Sequence, residues 1–390
     1  MRASAAAAGS AARHVVIAGG GIAAVETLLA LRALPGGDGL DVTVVAPGSE
    51  LVYRPLSVGE PFGGPLLRRY PLDEICADRG ARFVQAAAVA VDGDMRTVTT
   101  SAGDTLHYDA LVLATGACAD VGLPNAVTFF ADTDTDGMRW IVRELEDHTL
   151  RSIAFVVQPG SGWPLPLYEL ALMTAHHAAT VGAGDVEITL VTPEDAPLGV
   201  FQGAGSAAVA RLLDDAGIRV ETSTYAHGYD GAQLLLTPGD RRLTADRVVA
   251  LPVLSGPAID GLPLDRDGFV RVDDHGRVPG LGGVYAIGDA SSFPIKQGGL
   301  ATQQADAVAE LIVGNGDRTN APQAHLRAML LTGGEPLYLM ATLGAVGHAT
   351  SSASRQCPWW PPHKIAARHL APYLADREPR ILTTTGAAHA

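Results

Sequence analysis

The chain is 390 residues long, which predicts two or three domains, and its 47% hydrophobic but only 5% aromatic content predicts cores of aliphatic side chains. That composition suits an α/β protein with buried parallel strands. A formal net charge of −14 argues against nucleic acid as a partner and against broad docking on an anionic membrane. Three cysteines, Cys76, Cys118 and Cys357, have no metal-like spacing, so no metal site is predicted and a reducing, cytoplasmic location is expected.

The N-terminal region carries the first nucleotide-binding pattern. Residues 1–13 are Ala-rich and are predicted to be a disordered lead-in. They are followed by three predicted elements of a βαβ unit: a strand at His14–Ala18, a helix at Ile22–Leu34 and a strand at Val42–Val45. Between the first strand and the helix stands Gly19-x-Gly21-x-x-Ala24. This spacing predicts a tight turn that places a pyrophosphate on the amides at the start of the helix.

One residue of that pattern is missing. An acidic side chain normally ends the second strand and binds the ribose, but here Val45 is followed by Ala46 and Pro47. Glu50 is the nearest candidate for the ribose, and the alternative is that Glu50 is a solvated loop residue.

A second unit of the same kind follows the predicted strands at Arg82–Val91, Thr97–Ser101 and Leu111–Gly116. Its predicted elements are the strands Ile153–Val157, Val186–Val191, Ile218–Thr222 and Arg247–Leu251 and the helices Leu167–Ala178 and Ser206–Ala216. Its glycine turn is interrupted by Pro159, Pro164 and Pro166, which cannot donate backbone hydrogen bonds to phosphate. Tight nicotinamide-nucleotide binding is therefore not favoured, although Glu194 is placed where it could hold a ribose.

A third pattern lies about three quarters of the way along the chain, at residues 284–289. The predicted strand Val284–Ile287 leads to Gly288-Asp289, and a helix is predicted at Ala301–Val313. Asp289 is expected to bind sugar-type hydroxyls, with a plain helix cap as the alternative. The amides at the start of the following helix would face the pyrimidine oxygen of a flavin and stabilise negative charge there.

These patterns together resemble the FAD-dependent pyridine nucleotide–disulfide oxidoreductase superfamily over most of residues 14–313. Within it the chain is most similar to the branch of sulfide:quinone oxidoreductases, flavocytochrome c sulfide dehydrogenase flavoproteins and type II NADH dehydrogenases. Two further segments carry the likeness, Tyr53-Arg54-Pro55-Leu56 beside the isoalloxazine and Lys296–Ala305 at the flavin-facing helix. The resemblance implies non-covalent FAD. The predicted FAD-binding residues are Gly19, Gly21, Ile22, Ala23, Ala24, Glu50, Arg54, Pro55, Val89, Ala114, Thr115, Gly116, Gly288, Asp289, Leu300 and Ala301.

The expected fold is α/β, with two Rossmann-like, three-layer ββα dinucleotide-binding domains, the second inserted in the first, and a small C-terminal segment. The predicted limits are 14–122 with 256–325 for the FAD-binding domain, 123–255 for an NAD(P)-binding-like domain with a degenerate glycine motif, 326–380 for a C-terminal segment that forms an interface or covers the flavin, and 381–390 for a tail.

The sequence gives fewer signals for the catalytic residues than for the FAD site. The resemblance implies paired redox cysteines in sulfide-oxidising members, but Gly162 and Trp163 stand at one of those positions here. Cys357 lies near the other, so Cys357 and Lys296 are the predicted catalytic residues, with an inert thiol as the alternative for Cys357. Trp163 and Tyr168 are predicted to line the substrate pocket.

The C-terminal segment leaves several partners open. Its Trp359, Trp360, Lys364 and Arg368 would suit a peripheral membrane contact, but packing on the FAD domain or a homodimer contact is favoured.

The leading functional hypothesis is an FAD-dependent oxidoreductase that passes electrons from an unidentified reductant to a quinone, a small molecule or a redox protein. The alternatives are an NAD(P)H dehydrogenase or ferredoxin-type reductase, a specialised-metabolite flavoenzyme, and an FAD-binding interaction protein without turnover.

Overall fold

A computed structural model describes residues 12–65, 67–130, 135–314, 323–343 and 350–377. Most of the predicted lead-in 1–13 and the whole predicted tail 381–390 lie outside these ranges. The helices are α1 Ile22–Ala33, α2 Leu72–Asp78, α3 Asp136–Glu146, α4 Leu165–Val181, α5 Gln202–Asp215, α6 Gly298–Val313 and α7 Leu370–Ala375. Short 3-10 helices lie at Gly37–Gly39, Arg54–Phe62, Gly199–Phe201 and Gly288–Ala290. None of the helices in the described ranges is long and apolar enough to span a membrane.

The strands fall into three consecutive groups along the chain. The first group is β1 His14–Ala18, β2 Asp41–Ala46, β3 Glu50–Tyr53, β4 Arg68–Pro71, β5 Arg82–Gln85, β6 Ala88–Asp92, β7 Thr97–Thr100, β8 Thr105–His107 and β9 Ala110–Leu113. The second group is β10 Cys118–Asp120, β11 Val127–Thr128, β12 Ser152–Val156, β13 Glu187–Val191, β14 Arg219–Glu221, β15 Tyr225–Tyr229, β16 Gln233–Thr237, β17 Arg241–Thr244, β18 Arg247–Ala250 and β19 Val253–Ser255. The third group is β20 Val284–Ala286, β21 Ala324–Leu330, β22 Leu337–Leu343 and β23 Ser351–Ser354.

The first Rossmann unit is built on the parallel sheet β20-β9-β1-β2-β5. Alternate side chains of its strands point to opposite layers. Val15 and Ile17 pack against α1 and α6, whereas Val16 and Ala18 face the antiparallel sheet β6-β7-β8. Because both faces are covered, the central strands are continuous apolar runs rather than alternating ones.

The second unit repeats this arrangement on the parallel sheet β11-β18-β12-β13-β14. Ile153 and Phe155 of β12 pack against α3 and α4, whereas Ala154 and Val156 face the antiparallel sheet β15-β16-β17. The unit lies in the chain between β9 and β20, two neighbouring strands of the first sheet. The predicted fold class, with a second ββα unit inserted in the first, is confirmed.

Most predicted elements differ from the structure by a few residues at their ends, and two of these differences have a clear physical reason. The predicted strand Arg82–Val91 is divided into β5 and β6, because the chain leaves the parallel sheet at Ala86 and enters the antiparallel layer. The flavin-facing helix α6 begins at Gly298 rather than Ala301, since the side chain of Gln297 accepts a hydrogen bond from the Leu300 amide and caps the helix one turn earlier.

The C-terminal segment contains a small antiparallel sheet that periodicity did not predict. Strands β21, β22 and β23 form this sheet in the order of the chain, and Gln303 of α6 exchanges two hydrogen bonds with the backbone of His325 in β21. Beyond the sheet, α7 packs against α1 through Leu370 and Leu374. The segment therefore contacts both units: α7 packs on the helical face of the first, and the small sheet shares a core with α4 and α5 of the second.

Candidate functional site

The turn after β1 presents open backbone to a ligand. Gly21 precedes α1 with extended backbone angles, has no side-chain cap, and no acidic side chain lies in the first turn of the helix. A Cβ atom built on Gly21 would meet nothing within 4 Å. The start of α1 thus has no side-chain cap, open space beside Gly21 and the positive end of the helix dipole, which are the features of a pyrophosphate-binding turn.

Two further glycines allow close approach around this turn. Gly19 has a φ of +135°, and a Cβ atom there would lie 2.1 Å from the carbonyl oxygen of Ala114. Gly288 lies between the starts of α1 and α6, since its Cβ would be 3.3 Å from the methyl groups of both Ala23 and Ala301. The three sequence patterns thus meet at one edge of the first sheet.

Asp289 and Lys296 form a charged group beside this edge. Burial raises the pKa of Asp289, while the positive charges of Lys296 and Arg54 oppose the rise. Burial lowers the pKa of Lys296 to about 8, against the pull of Asp289. The Lys296 ammonium donates to the Ser291 carbonyl oxygen and lies 3.6 Å from the centre of the Phe269 ring. Its predicted contact with a flavin stays a prediction.

These residues fit an FAD molecule. The open turn at Gly21 offers a site for phosphate. Gly116, which has a positive φ and open space around it, offers one for the isoalloxazine, and the Asp289 carboxylate offers one for the ribityl group. Ser57, one turn after Arg54, adds a buried hydroxyl with no hydrogen-bond partner among the described residues. The individual FAD contacts stay predictions at Gly19, Gly21, Ile22, Ala23, Ala24, Arg54, Pro55, Ala114, Thr115, Gly116, Gly288, Asp289, Leu300 and Ala301.

Two predicted FAD contacts, Glu50 and Val89, are partly exposed and bound to other protein groups. The carboxylate of Glu50 is half-exposed and pairs with Arg69 at 3.4 Å. Val89 is 37% exposed on β6, and its carbonyl oxygen accepts a hydrogen bond from the Asp260 amide. Both assignments stay predictions.

The glycine turn of the second unit packs against the first unit. The Gly162 carbonyl oxygen accepts a hydrogen bond from the Lys296 amide, and a Cβ atom on Gly162 would lie 2.5 Å from Cγ of Lys296. The amides of Ser161 and Trp163 donate within the turn, and Pro164 and Pro166 have no amide hydrogen. The start of α4 consequently offers few donors to a phosphate.

The expected ribose acceptor of the second unit is occupied by protein groups. One oxygen of Glu194 accepts from the Tyr168 hydroxyl at 2.7 Å and from Thr192 at 2.9 Å, and the other accepts from the Gly199 amide at 3.1 Å. The expectation that Tyr168 lines a substrate pocket conflicts with the structure. Its side chain is fully buried in the core of the second unit, and its hydroxyl is bonded to Glu194. Trp163 is half-buried and packs edge-on against Phe201 at 5.9 Å.

A buried ion pair joins the second unit to the C-terminal segment. The Lys364 ammonium donates to Glu169 at 2.7 Å, and the side chains are only 6% and 0% exposed. The other Glu169 oxygen accepts from the Leu331 amide at 2.9 Å. Burial raises the pKa of Glu169 and lowers the pKa of Lys364, and their mutual attraction opposes both shifts. The next residue, Ile365, packs directly on Gly298 at the start of α6.

Sequence reasoning missed this pair, although two signals were present. Glu169 is a charged residue inside the long apolar helix α4. Lys364 and Lys296 are the only lysines among the 28 basic residues of the chain, and both are buried. Lysine, unlike arginine, can give up its proton, so two buried lysines in an arginine-rich chain mark places where proton exchange is possible.

The cysteines do not form a redox pair. All three are free: Cys76 is buried in α2 with its pKa raised to about 11 by burial, Cys118 is exposed on β10, and Cys357 is partly buried. The Cys357 thiol donates to the Trp359 carbonyl oxygen at 3.2 Å. A redox role of Cys357 stays a prediction.

Comparison with known proteins agrees with this geometry. The family model described as pyridine nucleotide-disulphide oxidoreductase matches residues 13–306. The chain is 32% identical over 339 residues to the ferredoxin reductase component of chlorobenzene dioxygenase from Cupriavidus sp. (strain PS12), an alignment that covers 80% of this chain and 77% of that one. It is 29% identical over 238 residues to an NADH dehydrogenase-like protein of Mycobacterium tuberculosis, covering 57% of this chain but only 58% of that protein.

A solved structure shows the same fold. The sulfide:quinone oxidoreductase of Aquifex aeolicus superposes with a TM-score of 0.77 at 21% identity and covers 88% of this chain and 87% of that one. The predictions of a flavin-dependent oxidoreductase and of FAD as its cofactor are confirmed. The chain belongs to the pyridine nucleotide-disulphide oxidoreductase family.

Proposed function

We propose that this protein oxidises a small-molecule reductant at its flavin and passes the electrons to a quinone. The observation that carries the proposal is the buried Glu169–Lys364 ion pair, one residue from the contact between Ile365 and Gly298 at the flavin-facing helix. Reduction of a quinone to a quinol takes up two protons with two electrons, so it needs a proton source in a site that excludes bulk water. A one-electron redox protein needs none.

The ion pair has the properties of such a source. Because burial moves the two pKa values toward each other, the proton on Lys364 is easier to release than that of an exposed lysine. Glu169 accepts a hydrogen bond from the Leu331 amide, which keeps its carboxylate fixed beside Lys364 when the ammonium gives up a proton. The Lys364 ammonium can therefore hand one of the two protons to a bound quinone oxygen, while the second proton and the reprotonation of Lys364 come from solvent as the quinol leaves.

The remaining groups of the site bind and orient. FAD, when bound, supplies the two-electron redox chemistry. The amides at the start of α6 and the nearby Lys296 would stabilise negative charge on the pyrimidine side of the ring. Asp289 would hold the ribityl hydroxyls.

The second unit supports a donor other than a nicotinamide nucleotide. Its turn has lost phosphate donors at Pro164 and Pro166, and Glu194 is already bound by Tyr168, Thr192 and Gly199. A ribose would have to break that network, and each hydrogen bond lost there costs about 1 kcal/mol. All three cysteines are free, so no disulfide is present to relay electrons. We therefore expect the reductant to react with the flavin directly.

We expect NADH and NADPH to bleach the flavin absorbance of the anaerobic FAD-loaded protein at least about a hundredfold more slowly than dithionite does. The closed Glu194 network and the proline-interrupted turn are the physical reason. Stopped-flow absorbance of the oxidised flavin band is the measurement.

The rival function is a ferredoxin-type reductase, which the name of the Cupriavidus relative favours. Rapid bleaching by NADH followed by electron transfer to an iron–sulfur protein would establish the rival and end the proposal. Reoxidation of the dithionite-reduced protein by a short-chain quinone, faster than by an iron–sulfur protein, would support the proposal.

A further inference from the structure

The C-terminal residues 363–377 are fastened to the FAD-binding unit at several separate points. The Ile365 amide donates to the Tyr53 hydroxyl at 3.1 Å. The Tyr373 hydroxyl donates to Asp78 at 2.9 Å, and the Arg377 guanidinium pairs with the same carboxylate. These contacts involve half-exposed or uncharged groups, and they would hold the segment in a similar way across the neutral pH range.

One fastening point is chemically different. Glu26 of α1 is completely buried, and its two oxygens accept hydrogen bonds from the His369 amide at 2.9 Å and the Leu370 amide at 2.5 Å. Asp306 of α6 interacts electrostatically with the same Glu26 carboxylate, and Asp306 Oδ1 lies 3.7 Å from His369 Nε2 in the docked segment. That Oδ1 atom is buried with no hydrogen-bond partner among the described residues. The buried Glu26 carboxylate and the partly buried Asp306 carboxyl therefore both lie at the point where the segment docks.

We propose that the Glu26–Asp306 carboxyl pair is a pH-responsive latch that holds residues 363–377 against the FAD-binding unit while the pair shares one proton, and loosens them when that proton is lost.

The proton belongs on Asp306. Two backbone amides favour the anionic form of Glu26, so a hydrogen bond between the carboxyls requires Asp306 to be the protonated partner. Burial, and next to it the charge of Glu26, raise the pKa of Asp306 to about 7. Burial also raises the pKa of Glu26.

The neighbouring charges do not cancel the raised pKa of Asp306. Glu310 of α6 adds a further negative charge, and Arg368 of the segment adds a positive one. His369 lies with Nε2 3.7 Å from Asp306 Oδ1, but burial lowers the pKa of that imidazole, so it is neutral when Asp306 ionises. Above the pKa of Asp306, two carboxylates face each other with one arginine to balance them.

The direction of the pH dependence follows from the raised pKa. The docked segment binds a proton that the undocked one releases near the ordinary aspartate pKa of about 4. Docking is therefore complete at low pH and weakens by up to about tenfold per pH unit as the pH rises toward 7, after which it levels off. Loosening would expose the start of α6, where Ile365 covers Gly298, and would separate Lys364 from Glu169. The latch would act in the same way whichever acceptor the enzyme uses.

Hydrogen exchange of the FAD-loaded full chain tests the latch. Protection factors of amides 364–374, each corrected for the intrinsic exchange rate at that pH, should fall at least about tenfold between pH 5 and pH 8 in the wild type. Asp306→Asn keeps a donor to Glu26 that cannot ionise, so its protection should stay high and flat over the same range. Asp78→Asn, the matched control, should lower protection of residues 373–377 equally at every pH.

Protection in the wild type that does not change between pH 5 and pH 8 would overturn the proposal. So would an Asp306→Asn protein with the same pH dependence as the wild type, since the dependence would then come from another group. Flavin absorbance of each variant at both pH values confirms that FAD is still bound, and a variant that loses FAD is replaced by Asp306→Ser for the same comparison.

Discussion

Gly21→Val is expected to abolish stable FAD retention while the protein remains folded. The backbone of Gly21 is extended, with a φ of −87°, so valine is sterically allowed there. The added side chain meets no protein atom, because a Cβ at this position has nothing within 4 Å. It projects instead into the space over the free amides of α1, where the pyrophosphate would lie.

The expected size of this effect is at least a hundredfold weaker FAD binding, or about 2.7 kcal/mol. Loss of stability of the FAD-free protein should be about 1 kcal/mol, from the poorer helix cap. Fluorescence titration of the apoprotein with FAD measures the first quantity, and urea unfolding of the apoprotein measures the second.

Two glycine variants serve as comparisons. Gly184→Val, in an exposed turn of the second unit with equally open space around it, should leave both quantities unchanged. Gly19→Ala should instead destabilise the apoprotein itself by at least about 2 kcal/mol, because its Cβ collides with the Ala114 carbonyl oxygen at a strained φ. Wild-type FAD affinity in the Gly21→Val protein would show that the cofactor does not lie over this turn.

The first unit could be predicted because its signals are local. The pattern Gly19-x-Gly21-x-x-Ala24 needs only a strand before it and a helix after it, and the sequence shows both. The proline-interrupted turn of the second unit was equally readable, since Pro164 and Pro166 lack amide hydrogens in any fold.

The rest of the site depends on contacts between residues far apart in the chain. Tyr168 resembled a pocket residue because it follows a glycine turn, but its hydroxyl reaches Glu194, which lies on a neighbouring strand end. Glu169 and Lys364 are 195 positions apart, and Glu26 and Leu370 are 344 apart. No periodicity connects such pairs, and an isolated acidic residue in an apolar helix indicates only that some partner must exist.

The small sheet β21-β22-β23 escaped prediction for another reason. Its strands include Ser351–Ser354, which has neither β-branched nor aromatic residues, so strand propensity gives no signal there. Pairing with β22 and the contact of Ser351 with the Gly205 amide hold it in place. Tertiary contacts, rather than local preference, determine that strand.

Lys364→Met is expected to destabilise the FAD-loaded protein by about 3–5 kcal/mol, because it leaves the Glu169 carboxylate buried without its counter-charge. Adding Glu169→Gln should restore most of that loss. Glutamine carries no charge, fits the same space, and its carbonyl oxygen can still accept the hydrogen bond from the Leu331 amide. Urea unfolding of wild type, single and double variants measures this recovery.

The recovered double variant separates stability from proton delivery. With dithionite-reduced, FAD-loaded protein, reoxidation by a short-chain quinone should be slowed at least about a hundredfold relative to the wild type, or about 2.7 kcal/mol in activation free energy. Reoxidation by ferricyanide, which takes up electrons without protons, should change less than about threefold. The contrast isolates the proton, because a misplaced flavin would slow both reactions together.

The opposite pattern would be equally informative. If the stable double variant reduces the quinone at the wild-type rate, the Glu169–Lys364 pair serves only to fix the C-terminal segment to α4, and the protons must come from elsewhere. A buried ion pair that contributes no net stability against a neutral pair of the same shape needs another reason to be present. An arginine at position 364 would keep its proton permanently, whereas the lysine there can release it. The comparison of quinone with ferricyanide decides whether Lys364 releases that proton during turnover.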